Sequence, residues 1–478
     1  MNLFPKILKN TILQIIGKIL SVLLGIASIS LITRSLGPVN YGYYTTILNY
    51  LLIVGVLIDG GLHLTMVQLV SKKKEKNEKE AIIQNTLTLR IFSASIALII
   101  ATIVAWFLPY TRLVKIGIMI ISFTTLFNGI IQILTGIFQI KLKMSKVVIA
   151  EISRVTLYLI TLSIIYFLNI SNIFYILIAM VLTYFVNLVI LLGFAKKHFS
   201  LKLQWSKPVI KEILIYTWPL AISVFFNLMY LRTDILLLSI LKSPTDVAFY
   251  GLSYKFLDIL TMMAPLLMGL VLPILTNAWY QNNKEEFRYY FQQSFNLFAI
   301  FAFPIVVGAQ VVAPQLITWI AGNDFIQAAA ILRILIFAII ALFVGGLSTY
   351  TIVAINKQKT MMWGYGFIAI FSLLAYIFLI PIYSYWAAAY ITIISEFAIL
   401  FLSYWIVLKT TKIKLKLNTL LKSLFASLSM GTLLYFFNIY NLFLNILIGG
   451  IIYFSLLILT KAISTKTLKN WKQIAIHS

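Results

Sequence analysis

Runs of about twenty apolar residues recur along this chain, and they constrain its fold more than any other feature. ILSVLLGIASISLI (19–32) and YYTTILNYLLIVGVLI (43–58) are the first two, divided by the short break RSLGPVNYG (34–42). A helix needs about twenty such residues to cross a hydrocarbon core about 30 Å thick. A transmembrane strand would instead alternate apolar and polar residues over about ten positions, and no such alternation is visible. Hydrophobic residues make up 61% of the 478 and charged residues 11%, with a mean hydropathy of +0.99. Soluble domains run nearer 45–50% apolar and about 25% charged. The expected fold is therefore an all-α integral membrane protein.

About fourteen spans can be drawn, at 11–33, 41–63, 82–107, 115–139, 147–168, 173–195, 212–241, 247–275, 288–312, 327–354, 359–380, 384–408, 418–438 and 441–461. The stretch 309–325 is the hardest to place, because Pro314 and Gly322 interrupt it. The loops test the count. With the N-terminus in the cytoplasm, cytoplasmic segments hold 28 of the 38 Lys and Arg residues and outer loops hold 4. That bias follows the positive-inside rule and puts both termini in the cytoplasm. It also accounts for a net charge of +25 without a nucleic-acid partner. The first apolar run is too long for a signal peptide and reads as a spanning helix that stays. SKKKEKNEKE (71–80) reads as a solvated cytoplasmic loop, and the tail 466–478, with Trp471, as either an interfacial helix or disordered chain.

The turn Thr33–Gly42 has a relative in SPTDVAFYG (243–251). Tyr41-Gly42 and Tyr250-Gly251 each follow a short outer loop with a proline, and each begins a span. Six spans separate them, an even number, so both turns face the same side. This suggests a parallel repeat about an axis along the membrane normal. The expected organisation is an N-terminal lobe over 1–195, a basic cytoplasmic linker over 196–212, a C-terminal lobe over 213–408, and two further helices with a tail over 409–478.

Eleven ionisable residues fall inside spans: Lys18, Asp59, Arg90, Glu151, Arg154, Arg232, Asp234, Lys255, Asp258, Arg333 and Glu396. Each costs at least about 2.5–3.5 kcal/mol at mid-bilayer, so most must face one another or a wet cavity. Glu151 and Arg154 are three apart on one helix face, as are Lys255 and Asp258. Asp59 and Glu396 have no partner by spacing. Lys18 and Arg333 lie close enough to a surface to snorkel. A cation-lined cavity between two lobes would suit an anionic solute, and the arginine fork binds phosphate bidentately. Arg34, Arg90, Arg154, Arg232 and Lys255 are the candidate phosphate-binding residues. Asp59, Glu151, Asp258 and Glu396 are candidates for ion coupling or charge pairing. Pro219, Pro265, Pro273 and Pro304 interrupt the helical ladder within spans, as moving parts require.

With no cysteine and only His63, His198 and His477 scattered along the chain, thiolate chemistry is excluded and a histidine metal cluster is not expected. No paired carboxylate, nucleophile triad or phosphate-binding glycine loop is visible. The outer loops carry only Asp246 and Asp324 as acids. No catalytic residue and no metal ligand are assigned, which disfavours a membrane polymerase or glycosyltransferase. Nothing resembles a channel filter loop. No cofactor is expected beyond a coupling H+ or Na+.

LITRSLGPVNYGYYT (31–45), LIDGGL (57–62), YTWPLAIS (216–223), RTDILLLS (232–239) and YGLSYKF (250–256) together resemble the polysaccharide transporters of the multidrug/oligosaccharidyl-lipid/polysaccharide exporter superfamily, the O-antigen and capsule repeat-unit flippases. The resemblance implies a V-shaped pair of six-helix lobes working by alternating access. It implies an undecaprenyl-diphosphate-linked oligosaccharide as substrate, moved from the inner to the outer leaflet of a bacterial or archaeal cytoplasmic membrane. It further implies that basic residues of a central cavity hold the diphosphate, and that membrane lipids and other polysaccharide-assembly proteins are partners. Arg34 and Asp59 are the residues carried over from the family's first two helices. A multidrug or cation antiporter of the same superfamily is the alternative. Its site would favour acids and aromatics, against the basic tilt here.

Overall fold

A computed structural model describes residues 4–196, 202–437 and 441–462; these are helices joined by short loops, with no strand among the described residues. In chain order they are α1 (Phe4–Asp59), α2 (Leu62–Lys72), α3 (Lys76–Phe107), α4 (Arg112–Ile140), α5 (Met144–Phe167), α6 (Ile173–Ala195), α7 (Lys207–Leu241), α8 (Pro244–Thr261), α9 (Met263–Tyr280) and α10 (Lys284–Ala321). A single 3-10 turn (Asn323–Phe325) leads to α11 (Gln327–Leu335), α12 (Ala338–Ala354), α13 (Gln358–Thr411), α14 (Asn418–Phe437) and α15 (Leu442–Leu459). The tail 466–478 and residues 197–201 of the linker lie outside the described residues.

Eleven helices among the described residues are long and apolar enough to cross a membrane, or twelve with the bent helix α7. Two of them are too long for one crossing. α1 has 56 residues and α13 has 54, where about twenty suffice. Each contains a non-helical residue, Gly37 (φ 65°, ψ 176°) in α1 and Ser384 (φ 50°, ψ −135°) in α13. Counting each as two crossings brings the described helices close to the fourteen expected. α7 bends by 40° between Trp218 and Leu220, where Pro219 withholds its N–H from the ladder. Pro314 does not interrupt its helix. α10 runs through Pro304 and Pro314 to Ala321 and stops at Gly322, whose φ of 91° is a glycine conformation. The loop expected over 71–80 is also shorter than drawn, because α2 extends to Lys72 and α3 begins at Lys76.

The chain divides into two compact units, one ending at Ala248 and the other beginning at Phe249. In the first, α1 packs on α4 and α5, α4 on α6, and α3 on α4. Its core gathers Met66, Leu69, Ile83, Ile133, Ile137 and Phe138, all under 3% exposed. α7 packs on α1, α2 and α3. The stretch before α7 is clipped to α3: Gln204 and Ser206 donate backbone N–H bonds to Thr88 Oγ1 (3.0 Å) and Asn85 Oδ1 (2.6 Å). In the second unit α12 packs on α9, α10 and α13, while α14 and α15 pack on α10. Tyr453 on α15 donates its hydroxyl to the Ile300 carbonyl of α10 at 2.7 Å. Asn445 on the same helix reaches Gln315 Oε1 at 2.8 Å.

Two glycines of the first break serve different purposes. A Cβ on Gly37 would meet nothing within 4 Å, so this glycine supplies its positive φ alone. A Cβ on Gly42 would collide with the Pro244 carbonyl oxygen. Gly42 therefore lets the backbone of the second half of α1 touch the start of α8. The two related breaks of the sequence meet at this point. We predict that Gly42→Ala lowers the melting temperature of the solubilised protein through overpacking of about 1–3 kcal/mol. Gly25→Ala, where the added Cβ again meets nothing within 4 Å, should leave it unchanged.

Candidate functional site

The first unit holds two buried charge constellations. The first begins at the LIDGGL segment. Asp59 ends α1, and Gly60 (φ 46°) and Gly61 (φ 87°) turn the chain through left-handed conformations into α2. The break leaves Asp59 three residues before the first residue of α2, whose start no side chain caps. Arg90 of α3 meets it, with Nη1 3.3 Å from Asp59 Oδ1. The contact pairs the charges but lacks hydrogen-bond alignment; Asp59 Oδ1, Arg90 Nη1 and Arg90 Nε have no hydrogen-bond partner. Arg90 Nη2 donates to Gln132 Oε1 of α4 at 3.0 Å. The Arg90 side chain is 3% exposed and that of Asp59 is 25% exposed.

Glycines on α4 make this burial possible. A Cβ on Gly129 would stand 2.6 Å from Arg90 Nε, and one on Gly136 would stand 2.5 Å from Met66 Cε and 3.0 Å from His63 Cδ2. The two glycines are about two helical turns apart and so share one face of α4. That face accepts the guanidinium and the start of α2. His63 Nε2 is buried beside them without a hydrogen-bond partner.

The second constellation lies on α5 and α6. Arg154 grips Glu151 with both fork nitrogens, Nε to Oε2 at 3.1 Å and Nη2 to Oε1 at 2.6 Å. Asn187 Nδ2 donates to the same Glu151 Oε2 at 3.3 Å. The guanidinium lies over the Tyr184 ring, 4.4 Å from its centroid, a cation–π contact. Tyr44 and Tyr158 stand within electrostatic reach of Tyr184 and of each other. The Arg154 side chain is 13% exposed, whereas that of Glu151 is 41% exposed.

The structure thus brings together Asp59 with Arg90 and Glu151 with Arg154. The second pairing follows the helix spacing. The first corrects the expectation that Asp59 lacks a partner, because Arg90 comes from another helix. Arg34 is exposed on α1, three residues before Gly37. On α7, Arg232 is half-buried and Asp234 is buried, with Asp234 Oδ1 accepting the Ile235 N–H at 2.7 Å. In the second unit Lys255 is exposed and Asp258 half-buried on α8, and Glu396 is buried on α13 within electrostatic reach of Tyr365. Gln132, Gly129, Asn187 and Tyr184 escaped the sequence reading. Gln132 and Asn187 were visible there as lone amides in apolar spans. Among the described residues no three His, Asp or Glu side chains gather into a metal-binding group.

The described residues thus form a multi-pass helical membrane chain with charges neutralised inside its helices. Solved structures share this fold. The fold is similar to a structure titled lipid II flippase MurJ, inward closed conformation, with a TM-score of 0.75 at 15% identity, over 94% of this chain and 97% of that one. It is similar to the inward-facing conformation of a multidrug resistance MATE family transporter of the MOP superfamily, with a TM-score of 0.67 at 13% identity, over 84% and 99%. A MOP superfamily transporter from Pyrococcus furiosus matches with a TM-score of 0.58 at 11% identity, over 86% and 96%. The model of the polysaccharide biosynthesis protein family matches residues 31–330, and the chain belongs to that family. A comparison with curated proteins finds no match.

The geometry of the first constellation makes a stability prediction. Asp59→Ala leaves the Arg90 charge buried and unpaired, and should destabilise the protein by about 3–5 kcal/mol. Adding Arg90→Met should recover much of that loss, measured by thermal unfolding of the purified single and double variants.

Proposed function

We propose that the protein flips undecaprenyl-diphosphate-linked oligosaccharide from the cytoplasmic to the outer leaflet for surface polysaccharide synthesis, O-antigen or capsule, by alternating access. The observation that carries this reading is the pairing of a polysaccharide biosynthesis family match with a fold shared almost end to end with a protein named as a lipid II flippase. Two six-helix lobes related as a parallel repeat belong to the same proposal, as do cytoplasmic termini, a bacterial or archaeal cytoplasmic membrane, and contact with other polysaccharide-assembly proteins.

The diphosphate contacts of this proposal are basic side chains. Arg34 and Arg232 in the first unit are the cations we assign to the diphosphate, with Lys255 a separate candidate in the second. Arginine at such a site offers two parallel donors to a phosphate. Asp258 and Glu396 are candidates for coupling to H+ or Na+. A cation antiporter is the second reading, favoured by the likeness to the MATE fold. Against it, Asp59 and Glu151 each face an arginine, which removes the net negative charge that a cationic drug would seek.

Deleting the gene should cause the complete lipid-linked repeat unit to accumulate on the cytoplasmic side while surface polymer is lost. Unchanged polymer and intermediates together with drug hypersensitivity would favour the antiporter. Complementation with Arg34→Ala should restore protein abundance but well under half of surface polymer. Full restoration by Arg34→Ala would remove Arg34 from the site.

A further inference from the structure

The Glu151–Arg154 constellation has a composition that suits neither a phosphate nor a cation. The Arg154 fork spends its Nε–Nη2 edge on Glu151, and that contact already matches its charge, so it offers a phosphate little net attraction. The Glu151 charge is matched by the same contact, so it offers a cation no net attraction. What remains is a neutral, hydrogen-bonding, aromatic surface. Tyr184 lies under the guanidinium, with Tyr44 and Tyr158 beside it. Asn187 is 2% exposed, and its Oδ1 is buried without a hydrogen-bond partner while its Nδ2 bonds Glu151. An acceptor left unmet inside a protein costs free energy unless a ligand or water meets it.

The cluster is open on one side. Glu151 and Arg154 stand about 10 Å and 15 Å along α5 from its first residue, in the first half of a 24-residue helix. Yet the Glu151 side chain is 41% exposed. A carboxylate is costly against acyl chains, so we take this side to face water. A polyhydroxylated ring fits such a surface. Its C–H face packs on an aromatic ring, and its hydroxyls both donate to carboxylate and amide oxygens and accept from guanidinium and amide N–H groups.

We propose that Glu151, Arg154, Tyr184 and Asn187, with Tyr158 and Tyr44 behind them, form a subsite for a sugar ring of the transported saccharide, and that Arg154 orients Glu151 there instead of binding the diphosphate. The inference rests on the flippase reading and deepens it. Recognition of the sugar sits on α5 and α6, apart from the cations assigned to the diphosphate.

The test uses the purified full chain in lipid nanodiscs, with farnesyl diphosphate and its glucosyl, galactosyl and N-acetylglucosaminyl derivatives as probes. The wild type should bind the bare probe, and bind at least one glycosylated probe about tenfold more tightly, a difference of about 1.4 kcal/mol. Tyr184→Ala and Asn187→Ala should each erase that gain and leave the affinity for farnesyl diphosphate unchanged. Tyr184→Phe, which keeps the ring, should retain it. Glu151→Gln, which keeps the side chain's shape, should lose most of it while the affinity for farnesyl diphosphate is retained. Equal binding of bare and glycosylated probes, or a gain that survives Tyr184→Ala, overturns the sugar subsite and leaves the flippase reading standing. Failure of the wild type to bind any of the four probes overturns both. Binding of tetraphenylphosphonium that Glu151→Gln abolishes assigns the cluster to a cation and overturns the subsite.

Discussion

A guanidinium inside a lipid-solvated helix bundle must be met by a carboxylate or by water, and the first unit is organised by two such meetings. Arg90 of α3 reaches Asp59 at the end of α1. Arg154 of α5 closes on Glu151 one turn away. Each meeting dictates features around it. Arg90 needs a hollow on α4, which Gly129 supplies, and a hydrogen-bond acceptor, which Gln132 supplies. Asp59 ends α1 where the Gly60-Gly61 turn redirects the chain. A buried pair of this kind adds little net stability. Its presence in an apolar chain therefore points to function or to specificity of the arrangement.

The same economy governs the backbone. In lipid each N–H and C=O must be satisfied within the protein, so helices change direction only at residues that permit it. Gly37 does so by its conformation, and Pro219 by the hydrogen bond it cannot make. Gly42 acts through space, by letting α1 and α8 touch where no side chain fits. Pro304 and Pro314 bend nothing enough to end α10.

Much of the fold was legible in the sequence because one physical quantity, the length of apolar runs, sets where spans begin and end. α6 was drawn at its observed limits, 173–195. The Glu151–Arg154 pair was legible for a similar reason, since helix geometry alone joins residues three apart. The Asp59–Arg90 pair was not, because it joins helices 31 positions apart in the chain. Spacing along one helix carries no information about which helix lies opposite. Asn187 and Tyr184 were missed on the same ground. An amide and an aromatic ring become a site only when α6 brings them against α5. Gly129 gave no sign of its role, because a glycine beneath a partner's guanidinium looks like any other glycine in an apolar span.

The proposed transfer of a lipid-linked saccharide between leaflets can be observed without a cell. The most direct measurement reconstitutes the purified chain in liposomes that carry a fluorescently tagged, farnesyl-diphosphate-linked saccharide in both leaflets, and then adds an impermeant reductant that quenches only the outer pool. We predict that the protein exposes the inner pool, so that quenching proceeds nearly to completion, and that bare liposomes keep the inner pool protected. An inner pool that stays protected in the presence of folded protein, in vesicles where the same protein moves a cationic dye, would contradict the flippase assignment and favour a cation antiporter.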